Sequence, residues 1–336
     1  MKTIKYIIYF LAFSTFSTAY AQSKVGTSSV PFLTLGAGAN AIAMGGAGVS
    51  MNSGSNSLYW NPGISGLYPK SEITFNQTGW LVGTTYNWIG ATIAVSDAVV
   101  LGFQISNLDF GEEKVTTEAQ PDGNGYMWNA NDLYFGFTYS QALTAQFSLG
   151  GTVKYIRSKI YNEKASAFAL DLGLLYVTDW KGLRLGMSIC NLGTDIKYEG
   201  KDLLKRYDGD LTTHGNNEGI ASDLKVDPWP LPILFRVGVS MEVIEDEMNK
   251  LTLSLDALRP SSNDESLNVG TEYSWSKMVF LRAGYKSLFL ENSQESYTLG
   301  FGLKYPISTY NLKYDFAYQK FDMFGDILTN GISIEF

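Results

Sequence analysis

Tyr297-Thr298-Leu299-Gly300-Phe301-Gly302-Leu303-Lys304-Tyr305 and Tyr310-Asn311-Leu312-Lys313-Tyr314-Asp315-Phe316-Ala317-Tyr318 place a large apolar side chain at every second position. A β-strand turns successive side chains to opposite faces, so each run has one apolar face and one of Thr, Gly, Lys, Asn, Asp and Ala. Tyrosine closes the apolar face at both ends of both runs, which is how the aromatic girdle of a membrane barrel shows in sequence. That face is expected to meet lipid. A secreted soluble sandwich, with the same face turned inward, is the competing architecture.

The same period governs Leu133, Phe135, Phe137 and Tyr139, and again Phe168, Leu170, Leu172, Leu174 and Tyr176. It predicts fourteen strands, at 71–79, 85–95, 98–106, 131–140, 146–156, 166–176, 183–191, 232–240, 250–257, 266–275, 278–286, 296–304, 309–318 and 328–336. Connections after even-numbered strands are short, as at Ser96-Asp97, 141–145 and Ser276-Lys277. Those after odd-numbered strands tend to be longer, 107–130 and 192–231 most of all. Short periplasmic turns against longer outer loops is the outer-membrane pattern, and closure leaves no unpaired backbone edge in lipid. The chain ends Ile332-Ser333-Ile334-Glu335-Phe336, an alternating strand with a terminal aromatic, which resembles the assembly signal of outer-membrane barrels. The expected fold is all-β: a fourteen-stranded antiparallel transmembrane β-barrel over 71–336.

Composition agrees with this. The chain is 45% hydrophobic and 14% aromatic, with only 17% charged residues, against roughly 25% charged in soluble domains. A net charge of −8 argues against a nucleic-acid partner, which needs a basic face. The one cysteine, Cys190, excludes an internal disulfide. Lys2 and Lys5, the apolar run 6–16 and the small-x-small Ala19-Tyr20-Ala21 form an export signal, so 1–21 is expected to be cleaved before Gln22. The run is too short to span a bilayer of about 30 Å as a helix. Localisation in the outer membrane follows.

On the polar register fall Lys154, Asp171, Arg184, Arg236, Asp256, Glu272, Arg282, Lys313, Asp315 and Glu335. Their mixed signs suit pairing across a partly filled lumen better than an ion-selective pore lining. Residues 22–70 obey other rules. Leu35-Gly36-Ala37-Gly38-Ala39 and Ala43-Met44-Gly45-Gly46-Ala47-Gly48 are too rich in small residues to face lipid and allow close backbone approach. Leu58-Tyr59-Trp60-Asn61-Pro62-Gly63 joins two aromatics to a turn. Such a segment is expected to fold inside the barrel as a hatch or plug, with an extended periplasmic tail as the alternative.

Here the chain resembles a family. Val25-Gly26-Thr27-Ser28-Ser29, Phe32-Leu33, Ala43-Met44-Gly45-Gly46-Ala47 and Leu58-Tyr59-Trp60-Asn61-Pro62-Gly63 look like the N-terminal signature of PorV/PorQ-like outer-membrane proteins of the type IX secretion system. Phe168-Ala169-Leu170-Asp171-Leu172-Gly173, the stretch 185–193 and Leu231-Pro232 before Phe235-Arg236-Val237-Gly238 add to the likeness, which leans to PorV. The resemblance implies a FadL-like fourteen-stranded barrel without enzymatic activity. It implies partners too: secreted cargo, bound through a C-terminal signal domain, and other secretion components. Asn61, Pro62 and Gly63 are the hatch motif it points to; the block ends in Gly63 where Ala is commoner.

Little catalytic chemistry is present. His214, the only histidine, reads as a solvated loop residue rather than part of a triad. Cys190 reads as an inert buried thiol. Asp202, Asp208, Asp210 and Glu218 match no calcium-loop spacing. No cofactor or metal is expected. The long outer connections are the better candidates. Phe110, Tyr126 and Trp128 stand among Glu112, Glu113 and Glu118 in one, and Tyr207 and Trp229 in the other. Aromatic anchors with flanking charge suit protein binding. Two structural alternatives are that 107–130 folds back into the barrel and that Asp227-Pro228-Trp229-Pro230-Leu231-Pro232 merely stiffens its loop. The function expected is a non-enzymatic role in type IX secretion. A FadL-like channel for hydrophobic small molecules, gated around Asn61-Pro62, is the second reading.

Overall fold

The computed structural model describes residues 25–208 and 219–336. The export signal expected at 1–21, His214, Asp210 and Glu218 lie outside the described residues. Fourteen strands form the wall: β1 (Glu72–Gly79), β2 (Thr85–Ser96), β3 (Val99–Lys114), β4 (Met127–Ala142), β5 (Phe147–Ile160), β6 (Glu163–Val177) and β7 (Arg184–Gly193). They continue as β8 (Leu234–Glu245), β9 (Asn249–Pro260), β10 (Ser266–Trp275), β11 (Val279–Leu288), β12 (Glu295–Ile307), β13 (Tyr310–Phe321) and β14 (Gly325–Glu335). Each pairs antiparallel with its neighbour in the chain, and β1 closes on β14 from Glu72↔Glu335 to Gly79↔Leu328. Every strand expected from the alternation is present, and the large apolar residues of the alternating runs face outward.

The expected loop 107–130 is mostly strand. Beyond a bulge at Gly111, where φ is +77°, β3 and β4 go on pairing through Glu112↔Asn129, Glu113↔Trp128 and Lys114↔Met127. The connection shrinks to 115–126, and the hairpin stands upright instead of folding back. Alternation failed to mark it because both faces are exposed there, so no apolar face is left to select. β3 to β6 have 16, 16, 14 and 15 residues, whereas β1 has 8. The outer rim is accordingly high on one side and low on the other.

Inside the barrel the segment 30–67 is almost wholly buried and carries only helical pieces of three or four residues. So little regular structure leaves its backbone dependent on the wall for hydrogen bonds. Thr298 Oγ1 donates to Ala43 O (2.9 Å), Ser254 Oγ to Ala47 O (2.8 Å), Ser240 Oγ to Ser50 O (3.0 Å) and Ser188 Oγ to Trp60 O (2.9 Å). Elsewhere the two backbones touch. A Cβ on Gly284 would lie 2.2 Å from Gly45 N, and one on Gly186 2.2 Å from Val49 O. Phe32, Leu33, Leu58, Tyr59 and Trp60 then form an apolar core with Tyr86, Trp88, Leu108, Tyr134 and Ile156 of β2–β5, capped by Ile196 and Leu231 of the β7–β8 connection.

With the centre occupied, the lumenal charges pair along the wall, not across it as expected. Lys154 meets Asp171 (2.5 Å), Arg184 meets Glu242 (2.8 Å), and Arg282 meets Glu272 and Asp315 (both 2.6 Å). Lys313 bridges Glu72 (2.5 Å) and Glu335 (3.0 Å). Arg282 reaches Asp315 over β12 because Gly302 stands between; a Cβ there would lie 2.4 Å from the carboxylate.

Two expectations follow. Gly284→Val or Gly186→Val forces a side chain into backbone and should destabilise the folded protein by about 1–3 kcal/mol. Protease cleavage within 30–66 should rise while the barrel still migrates as a heat-modifiable species. Gly151→Val is the control, since its Cβ faces outward and meets Leu172 at an ordinary 3.6 Å. Lys154→Met strands the buried Asp171 carboxylate and should cost about 3–5 kcal/mol; Lys154→Met with Asp171→Leu should recover most of that loss. Denaturant titration of the refolded barrel checks both.

Candidate functional site

The block 58–63 rivets the inner segment to β4–β6. Asn61 ends the short helix Ser57–Trp60 in an extended conformation, which frees its amide to reach outward. Nδ2 donates to Val49 O (2.7 Å) and Leu174 O (2.8 Å), and Oδ1 accepts the Gly63 N–H (2.9 Å). Pro62 lies against Gly150, where a Cβ would sit 2.4 Å from the proline carbonyl carbon. Gly63 O accepts from Ser148 Oγ (2.6 Å) and Ser140 Oγ (3.4 Å). A Cβ at Gly63 itself would sit 2.8 Å from Gly173 O, so the glycine is a close-approach residue here.

Just beside it, Tyr59 and Trp60 fold the N-terminal part back on itself. Tyr59 OH accepts the Gly36 N–H (3.0 Å) and donates to Leu33 O (3.2 Å), and Trp60 Nε1 donates to Ala37 O (2.7 Å). The buried Arg236 guanidinium stacks on both rings at 5.2 Å. Among the described residues no carboxylate lies within salt-bridge distance of it, contrary to the expected ion pairing. Its contacts are Tyr59 OH (3.4 Å) and Cys190 Sγ (3.5 Å), so two aromatic faces stand in for an anion. Asp256 instead accepts the Val49 N–H at 2.9 Å. Cys190 is buried, as expected of an inert thiol. What remains of the lumen on the β10–β14 side is a polar cavity of about 130 Å³ between Asn40 and Asn52 of the segment and Glu72, Arg282, Lys313 and Asp315 of the wall.

The outer candidates fall into two groups, on different connections. Phe110, Tyr126 and Trp128 share the raised β3–β4 hairpin, with Tyr126 70% exposed at its turn. Tyr207 lies in a small hairpin, Leu204–Tyr207 with Ile220–Asp223, inside the β7–β8 connection. Trp229 pairs with Ile196 through both backbone bonds (2.8 and 2.9 Å), points to solvent, and sends the proline-rich run inward so that Leu231 is buried. That run therefore corks the apolar core. Asp202 accepts from Asn162 Nδ2 (2.8 Å) and fixes the connection to the β5–β6 turn.

Sequence reasoning missed the lumenal belt of glycines and hydroxyls. Its signal was there: Gly173, Gly186, Gly270, Gly284 and Gly300 all sit on the inward register, where a solvated face would carry polar side chains.

A closed fourteen-stranded barrel with its own N-terminal segment inside is a FadL-like fold. Solved structures agree. The CymD monoaromatic hydrocarbon channel superposes with a TM-score of 0.56 at 12% identity, covering 90% of this chain and 97% of that one. The toluene transporters TodX of Pseudomonas putida (0.56, 14%, 89% and 98%) and TbuX of Ralstonia pickettii (0.52, 11%, 89% and 97%) do likewise. At such identities the likeness is one of fold alone. No curated protein matches the chain. The family of type IX secretion system protein PorV matches residues 18–260, and the chain belongs to that family.

Asn61→Ala removes the donor to Val49 O and Leu174 O and the acceptor of the Gly63 N–H; each buried group left unsatisfied costs about 1–3 kcal/mol. Amide hydrogen exchange over 45–66 should accelerate at least tenfold while the barrel strands keep their protection; unchanged exchange would show that the rivet is not Asn61.

Proposed function

We propose that this outer-membrane component of type IX secretion holds secreted cargo, by its C-terminal signal domain, or other secretion proteins at the outer face, using the β3–β4 hairpin and the β7–β8 connection. One observation carries the reading: Phe110, Tyr126, Trp128, Tyr207 and Trp229 are solvent-exposed on backbone that hydrogen bonds hold in place, above a lumen already filled. Ordered aromatics lose little conformational entropy on binding, and the neighbouring Glu112, Glu113 and Glu118 supply a steering rim. Segment 22–70 serves as a fixed hatch riveted at Asn61, Pro62 and Gly63, and outer-membrane lipid covers the apolar outer wall. No reaction is assigned.

Shortening 115–126 to an Asn-Gly turn, or deleting 201–227, should leave a heat-modifiable barrel. Co-purification of proteins bearing C-terminal signal domains should fall about tenfold or more, as expected for loss of anchor residues. Undiminished recovery with both changes would overturn the assignment. The channel reading draws on one feature, the apolar core of Phe32, Leu58, Trp60 and Trp88 in the lumen. In that case lipid-like molecules would co-purify and raise the melting temperature, and Asn61→Ala would weaken their retention.

A further inference from the structure

Two outer turns meet at the barrel seam on the low side of the rim: 80–84 between β1 and β2, and 322–324 between β13 and β14. Trp80 joins them, packing edge-on against Phe321 with ring centroids 5.7 Å apart. Their tips are apolar and turned to solvent, with Val82 88%, Met323 76% and Phe324 56% exposed. Val82 adopts φ +55°, a left-handed conformation that a β-branched residue enters only at a cost and that Gly or Asn would take easily. The turn is nonetheless tightly held. Trp80 N–H donates to Thr84 O (2.8 Å), and Thr84 returns its N–H (3.2 Å) and Oγ1 (2.8 Å) to Leu81 O. Hairpin formation requires none of this apolar surface, and strain kept at an exposed tip points to use.

Tyr297 and Tyr318 stack on the outer wall at 6.1 Å and mark the aromatic girdle on this side. Lys320 follows Tyr318 on the same outward face and pairs with Asp326 at 3.0 Å, a charged layer above the girdle. Met323 and Phe324 lie beyond that layer, and an exposed apolar cluster marks a protein or a membrane contact; the acidic side chains around it favour a protein with a basic rim over an anionic lipid surface. The surroundings are acidic. Asp322 flanks one tip, and Asp109, paired with Thr85 at the foot of the other, begins the raised part of β3 that carries Glu112 and Glu113. None of Asp322, Glu112 and Glu113 is in a salt bridge among the described residues.

We infer that Val82, Met323 and Phe324 are preformed anchors for a protein partner that presents an apolar cleft with a basic rim. The inference rests on the reading that this outer face holds proteins, and it adds a surface separate from the β7–β8 connection.

The test places a photo-cross-linking phenylalanine analogue at position 82 or 324 of the full chain in intact cells, with position 263 in the β9–β10 turn as control. Protein adducts are expected at 82 and 324 and not at 263. The captured peptide should contain an apolar run flanked by Lys or Arg. Glu112→Lys, Glu113→Lys and Asp322→Lys combined should cut the adduct about fivefold or more, since reversing rim charges slows association. Lipid adducts or none, equal labelling at 263, or an adduct indifferent to the charge reversals would overturn the proposal. The cross-link is also read in the chain lacking 201–227. Persistence there separates this surface from the long-connection reading, whether or not secreted cargo is lost; disappearance would merge the two and overturn a separate site.

Discussion

A chain inside a barrel inside lipid has little water to bond with, and this requirement shapes most of the molecule. The wall meets it by closing on itself. The segment 30–67 cannot meet it alone, because helices of three or four residues leave most of their amides and carbonyls without internal partners. The inner face is therefore written to serve that segment. Ser and Thr stand where a carbonyl needs a donor, Asp256 where the Val49 amide needs an acceptor, and Gly where the two backbones touch. Glu72, Arg282, Lys313 and Asp315 border the polar cavity that the segment leaves open, whereas Lys154, Asp171 and Arg236 are buried elsewhere along the wall.

The same logic ties closure of the barrel to docking of the segment. Glu72, the first residue of β1, accepts the Ser55 N–H (2.8 Å) and Oγ (3.1 Å) from inside and Lys313 of β13 (2.5 Å) from the wall. Lys313 also holds Glu335 of β14, which Lys70 grips at 2.7 Å. One ionic node thus spans the last residues before the barrel, its first strand and its last two. A buried carboxylate with this many partners is satisfied only when strand pairing and segment are both in place, so the two steps favour one another.

How much of this the sequence disclosed depends on where an apolar face existed to be read. In β6 or β12, where lipid meets one side, alternation placed the strands within a few residues. In the outer part of β3 it failed, since Phe110, Glu112 and Glu113 rise above the membrane and neither face is buried; pairing, not patterning, makes that stretch a strand. The Asn61 block was legible as a turn beside aromatics, but not its bond to Leu174, which lies far along the chain. Arg236 was read as an ion-pair partner because sequence gives no sign that two rings, from residues 59 and 60, would flank it.

This construction suits the binding role proposed for the outer face. A lumen filled by the chain itself leaves the outer rim as the surface free to differ from one member of the fold to another, and here the rim is asymmetric. Four long strands raise a hairpin on one side, and short turns end in a strained valine on the other. Both are held by backbone hydrogen bonds continuous with the wall, so a partner meets surfaces that are already ordered and the entropy cost of association is small on this side of the interface. The stitched interior supplies the stiffness, because a wall braced from within along many strands cannot yield where the rim is loaded. Interior and rim are in this sense one device: the bonds that fill the lumen are what make the outer face a rigid platform.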